Sequence, residues 1–184
     1  MSHTVATYDH TSAPKKGPLS KVFVDFLGFV LPSARARQGR ARVEVHGERA
    51  VTLADCSEAI RLDPQDPDAY RRRGVVHLRE GGYQRESGYL AVRRQRCFQD
   101  AIADFTTAIR LNPEDAGTYL WRGTAHKVLG RLERAAEDFS AAIRLNPQGL
   151  TAYVERSDVY QRQGETAKAE ADRARVTQLA SAFN

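Results

Sequence analysis

The sequence predicts an all-α fold made of antiparallel pairs of short helices stacked in one direction, and three observations predict it. The segments AIADFTTAIRLNP (Ala101 to Pro113) and AAEDFSAAIRLNP (Ala135 to Pro147) are near copies 34 residues apart, and a shorter echo, ADCSEAIRLDP, ends at Pro64. The segments that precede helix stops, AGTYLWRGTAHKVLG from Ala116 and LTAYVERSDVYQRQG from Leu150, are also alike. Within each copy apolar residues recur at three and four, as in Ala101, Ile102, Phe105, Ala108 and Ile109, which is the stripe of a helix with one buried face. Helices this short cannot bury their stripes alone, whereas stacked neighbours can, so a fixed period implies a solenoid.

The elements follow in order. Residues 1–18 have no period and are expected to be a disordered leader. The apolar segment 19–32 contains KVFVDFLGFVL, which has two readings. Lys15, Lys16 and Lys21 before it and Ala34-Arg35-Ala36 after it fit a signal peptide; Asp25 inside the run and the long leader fit a cover for the open face of the first repeat. Residues 33–66 form a degenerate repeat, with Arg40 at a small-residue position and a second helix expected from about Glu48 to Leu62. The second repeat, 67–115, opens with Asp66 as helix cap and Pro67 in the first turn. Its stripe continues through Tyr70, Gly74 and His77, and its first helix ends at Gly81-Gly82. Pro64 to Pro113 is 49 residues, one repeat plus an insertion, RESGYLAVRRQRCFQ, at 85–99. With no Pro or Gly from Tyr89 onward, the insertion should lengthen the second helix at its N-terminal end; a loop tethered at Ser87-Gly88 is the alternative. Phe98 continues the buried stripe, but Arg94 and Gln95 come next, so the extension should face solvent or a partner. The third repeat spans 116–149. The fourth, 150–184, ends in a capping helix over about Glu165 to Ala180. Leu-Asn-Pro stops the second helices, and Gly130 and Gly164 end the first ones.

With Tyr119, Gly123, His126, Ala135, Phe139 and Pro147 at the spacing of large, small, large, small, aromatic and proline positions, the chain resembles a tetratricopeptide-repeat (TPR) protein. The fourth copy matches with Tyr153, Ser157, Tyr160 and Ala169, then departs with Arg173 for the aromatic and Ser181 for the proline. The resemblance covers about residues 33–183 and implies a right-handed superhelical solenoid of three clear repeats plus a degenerate first one. Its small residues let helices approach closely and its ring fills the gap opposite.

Composition narrows the function. The net charge of +5 sits in the N-terminal half and the clearest repeats are balanced, which argues against the continuous basic face of a nucleic-acid binder. Cys56 and Cys97 make no Cys-x-x-Cys pair, and Cys56, at the aromatic position of the first repeat, reads as a small buried thiol. No apolar run reaches the roughly 20 residues of a membrane span. A cytoplasmic location is expected, or export if residues 15–36 act as a signal peptide. His77 and His126 occupy the position of Tyr160 and read as core or near-core residues; His3, His10 and His46 lie in the N-terminal part. No nucleophile elbow, phosphate loop or metal-spaced set appears, and DPQDPD (Asp63 to Asp68) lacks the glycine and final Glu of a calcium loop. No catalytic residue, metal site or cofactor is expected.

The resemblance implies that the first helix of each repeat lines a concave groove. Carried over, the groove holds Arg71, Arg72, Val75 and Arg79 from the second repeat, Leu120, Trp121, Thr124 and Lys127 from the third, and Glu155 and Asp158 from the fourth. The function expected is therefore a non-enzymatic scaffold or adaptor that binds a partner protein or peptide, its acidic part on Arg71, Arg72 and Arg79 and an apolar anchor on Trp121. The alternative is a solvated face on which Trp121 packs against its neighbours. The family's clamp for chaperone carboxylate tails is absent, since its positions hold Arg71, Val75, Trp121, Thr151 and Glu155. Arg85, Arg93, Arg94 and Arg96 of the insertion are a candidate second contact surface. Two other readings are a nucleic-acid-associated protein using that surface and a regulatory module of an enzyme assembly. Self-association through an end face or the insertion is left open.

Overall fold

Local signals in the chain set each helix end. Asp63, Asn112 and Asn146 each accept a hydrogen bond from the backbone N–H two residues on, at 3.0, 3.3 and 3.3 Å, so the Asp/Asn-Pro turns terminate three helices in the same way. Gly130 and Gly164 adopt φ of +71° and +78°. There the amides of Arg131 and Glu165 reach back to the carbonyls of His126 and Tyr160, both at 2.9 Å, closing the left-handed cap that only glycine enters freely. At the start of the first described helix, Thr52 Oγ1 accepts from the Asp55 amide and the Asp55 carboxylate accepts from the Thr52 amide. This reciprocal cap starts the helix at Leu53, later than the expected Glu48, because it satisfies amides that a helix beginning earlier would not leave free.

A computed structural model describes residues 51–82 and 88–181. Among the described residues there are seven helices and no strand: α1 (Leu53–Leu62), α2 (Pro67–Gly82), α3 (Gly88–Leu111), α4 (Ala116–Val128), α5 (Leu132–Leu145), α6 (Leu150–Arg162) and α7 (Thr166–Ser181). The expected leader, the apolar segment and the first helix of the degenerate repeat lie outside the described residues, as does Arg85. Consecutive helices pack against each other throughout. Beyond that, α2 touches α4 and α4 touches α6, whereas α3, α5 and α7 stand apart from one another. First helices that meet and second helices that diverge make a curved stack, with α2, α4 and α6 on the inner side.

The core is an interlock of glycine and phenylalanine. Phe105 and Phe139 are fully buried. A Cβ on Gly74 would stand 2.7 Å from Phe105 Cε1, and one on Gly123 would stand 2.7 Å from Phe139 Cε1, so these pairs leave no room for a methyl group. In the last pair Ser157 replaces glycine and Arg173, which is exposed, replaces the ring. Cys56, at 3% exposure, fills the ring position of the first repeat, and its burial pushes the thiol above its usual range.

The insertion extends the helix pair. α3 has 24 residues against 14 in α5, and α2 has 16 against 13 in α4. Gly81, which aligns with Gly130, keeps helical geometry: a Cβ there would lie 3.0 Å from Phe98 Cε2 and 3.2 Å from Cys97 Cβ. The extra turn of α2 thus packs on Cys97 and Phe98, and α3 runs on past it with Ala91, Val92, Arg93, Gln95 and Arg96 exposed.

Replacing Gly123 with Ala should cost about 1–3 kcal/mol, as overpacking does. Thermal unfolding followed by circular dichroism should show a lower midpoint, partly restored by Phe139→Leu in the same chain; an unchanged midpoint would contradict the interlock.

Candidate functional site

The inner helices are held in place by an arginine ladder. Arg73, Arg122 and Arg156 each lie 2.7 Å from an aspartate of the following helix, Asp104, Asp138 and Asp172 respectively. Each arginine makes at least two hydrogen bonds to its carboxylate. Each also donates through Nη1 to a hydroxyl of the preceding repeat: Ser57 at 3.5 Å, Thr106 at 3.2 Å and Ser140 at 2.9 Å. A tyrosine one turn earlier, Tyr70, Tyr119 or Tyr153, offers its ring at 5.7–5.9 Å. The three aspartates are at most 6% exposed, so each requires its arginine as counter-charge. Sequence reasoning assigned these arginines and aspartates no role. The signal was present, since Asp104, Asp138 and Asp172 recur every 34 residues and Arg122 and Arg156 do the same.

The expected groove residues fall into three groups on α2, α4 and α6. Arg71, Arg72, Val75 and Arg79 lie on α2. Arg71 pairs with Asp68 at 2.9 Å and approaches Asp115 at 3.6 Å, and Arg79 donates to the Val51 carbonyl at 3.0 Å. Arg72 is exposed, and among the described residues no hydrogen bond or ion pair engages it. On α4, Leu120 is buried and Thr124 spends its hydroxyl on the Leu120 carbonyl at 2.9 Å. Trp121 departs from the expected open anchor. At 3% exposure it is part of the core, where burying so large a ring gains more than presenting it to water.

The third group spans α4 and α6. Lys127, only 7% exposed, donates to Glu155 at 2.5 Å and to Asp158 at 3.0 Å, and Arg162 holds Asp158 at 3.2 Å. The charges expected to face a partner there are spent on one another, which ties the third repeat to the fourth. Val154, at 41% exposure, is the open apolar residue of α6. On the insertion, Arg93 and Arg96 are exposed, and Arg94 lies over the Phe98 ring at 5.8 Å.

The two repeat histidines lie in or near the core. His77 Nε2 is 3.9 Å from Asp104, and His126 is 5% exposed with Nδ1 unpartnered among the described residues. Burial pushes the His126 imidazole below its ordinary value; Asp138 opposes this, while Arg122, Arg131 and Arg134 add to it.

The family profile of the tetratricopeptide repeat matches residues 85–149 and 122–181. Among solved structures, a double mutant of MamA is 18% identical over 72% of this chain and 66% of its own, with a TM-score of 0.61. A thermophilic TPR protein of Thermus thermophilus is 20% identical over 70% and 64%, with a TM-score of 0.61. The first TPR of Spaghetti, bound to an HSP90 peptide SRMEEVD, is 22% identical over 61% and 77%, with a TM-score of 0.51. The chain thus spans just under two thirds of the MamA chain. These likenesses show the fold, the right-handed superhelical solenoid of antiparallel helix pairs. No curated protein matches the sequence significantly.

Two outcomes test the ladder and the buried imidazole. Arg122→Ala should cost about 3–5 kcal/mol by stranding Asp138, and Arg122→Leu with Asp138→Leu should cost less than the two single changes together, measured by denaturant unfolding. Above a pH of about 6.5 His126 is neutral in both folded and unfolded chains. Below it the unfolded chain takes up a proton that the folded one resists, so stability should fall on acidification. The fall in melting temperature from neutral to mildly acidic pH should be smaller in His126→Tyr; equal falls would remove His126 as the cause.

Proposed function

The chain belongs to the tetratricopeptide repeat family, and from that premise we propose that it is a non-enzymatic scaffold that binds a partner protein or peptide on the inner face of α2, α4 and α6. The partner's acidic segment meets α2 and its apolar residue meets α6. The observation that carries this reading is Arg72, an exposed arginine without a counter-charge among the described residues, next to Arg71 on α2. A guanidinium in that position lacks a carboxylate that a partner can supply bidentately. Val154, exposed on α6, supplies the open apolar surface, and the buried Trp121 belongs to the core beneath α4's surface residues.

The complex of Spaghetti with an acidic HSP90 peptide supports the general reading, that helix pairs stacked in this way take up peptides. It does not extend to the same ligand. At the positions of the carboxylate-tail clamp this chain carries Arg71, Val75, Trp121, Thr151 and Glu155, and Glu155 is committed to Lys127. The partner chemistry proposed is an internal acidic-apolar segment, in place of a free C-terminal carboxylate.

Affinity capture with the full chain, followed by quantitative mass spectrometry, tests this. Partners held by the wild type should drop about tenfold or more with Arg72→Glu and with Val154→Asp. They should be retained with Arg110→Glu, a charge reversal on an exposed residue of an outer helix. Neither groove variant should move the melting temperature appreciably. Equal capture by Arg72→Glu and wild type would remove the inner face as the docking surface.

A further inference from the structure

The insertion brings a second concave surface into being. Where α3 overruns the repeat, it passes alongside the turn that links α4 to α5, and between them lies a cleft of about 520 Å³. Its apolar lining comes from Ala91, Phe98, Val128 and Leu129, and its charged lining from Arg94 and Arg131. Val128 is 39% exposed, and Val92, on the same stretch of α3, is 68% exposed. The guanidinium of Arg94 lies 5.8 Å from the centre of the Phe98 ring, which puts positive charge directly over the apolar floor.

What sets this cleft apart is the state of its cations. The arginines of the ladder each have a buried carboxylate at 2.7 Å, and Lys127 has two acidic partners. Among the described residues, no side-chain hydrogen bond or ion pair engages Arg93, Arg94, Arg96 or Arg131. From Gly88 to Gln99 the sequence offers three arginines and no carboxylate.

We propose that this cleft is a second docking site, which takes an acidic protein segment bearing an apolar side chain. Its carboxylates pair with Arg94 and Arg131, and its apolar side chain enters between Phe98 and Val128. Open apolar surface beside unpaired arginines is the composition of an interface before its partner arrives. A nucleic acid fits less well: the basic stretch stops at Asp100, whereas phosphate contacts follow a longer track, and the floor is aliphatic and aromatic. This site does not rest on the inner-face reading, because neither Arg71, Arg72 nor Val154 lines it.

Calorimetric titration separates the two sites. The probe is a short synthetic peptide of alternating Glu and Leu, titrated into the full chain and into Arg72→Glu, in which the inner face is disabled. Binding should persist in Arg72→Glu and weaken about tenfold or more in Arg72→Glu/Arg94→Glu/Arg131→Glu, and should also weaken when Ser replaces the Leu of the probe. Arg94→Gln/Arg131→Gln in the same background gives the reading should charge reversal lower the melting temperature. If Arg72→Glu alone abolishes binding, the cleft is not a site and the inner face stands. If binding survives all the changes, the arginines of the cleft do not capture the peptide and the proposal is overturned. If a uridine oligonucleotide binds the cleft more tightly than the peptide and competes with it, the surface belongs to nucleic acid.

Discussion

The structure depends on one repeated contact, an arginine that faces two repeats at once. Arg122 binds the Asp138 carboxylate of its own repeat and reaches the Thr106 hydroxyl of the one before; Arg73 and Arg156 do the same with Asp104 and Ser57 and with Asp172 and Ser140. A solenoid has no closed core, so its cohesion must be supplied again at each junction. Apolar stripes supply most of it but are tolerant of sliding. A planar guanidinium that must meet a carboxylate on one side and a hydroxyl on the other tolerates little, so the ladder fixes the angle between successive pairs. That angle determines the curvature, and the curvature determines which helices form the inner face.

The interlock of Gly74 with Phe105 and of Gly123 with Phe139 acts within a repeat, as does the ladder's ion pair, while the ladder's hydroxyl contact reaches the repeat before. The two are linked through position, since each arginine directly precedes its glycine: Arg73 with Gly74, and Arg122 with Gly123. In these two repeats the close approach of the helices at the glycine accompanies the bond from the arginine to the buried aspartate. In the last repeat Ser157 follows Arg156, and the ring is gone, yet the bond to Asp172 remains at 2.7 Å. The ladder therefore holds where the aromatic contact does not.

The fold was legible because its signals are local and repeated. Two copies at a fixed offset, a proline stop and a glycine cap need no knowledge of tertiary contacts, and even the helical course of the insertion, with a loop as the alternative, was suggested by the lack of Pro and Gly from residue 89 onward. The start of α1 was not legible from periodicity, because Thr52 and Asp55 settle it by a side-chain exchange. The candidate site was less legible for a different physical reason. Register tells which face a side chain occupies, but not whether that side chain is covered or already paired. Trp121 holds a position expected to face the groove and is buried, and Lys127, Glu155 and Asp158 lie on the expected helices but neutralise one another.

That distinction between paired and unpaired charge separates the arginines that hold the stack together from those on which the proposed docking rests. Arg73, Arg122 and Arg156 carry the same charge as Arg72 and Arg94, but the ladder residues face carboxylates at most 6% exposed and cannot be released without stranding them. They are therefore closed to any partner, however close it comes. Among the described residues no hydrogen bond or ion pair engages Arg72, Arg93 or Arg96, and Arg94 has only the Phe98 ring. A carboxylate that approached them would break no ion pair of the fold. Among the described residues the cations left without an ion pair thus include Arg72, at a regular repeat position, and the arginines at 93, 94 and 96 in the insertion, and it is on cations of this kind that the proposed docking rests.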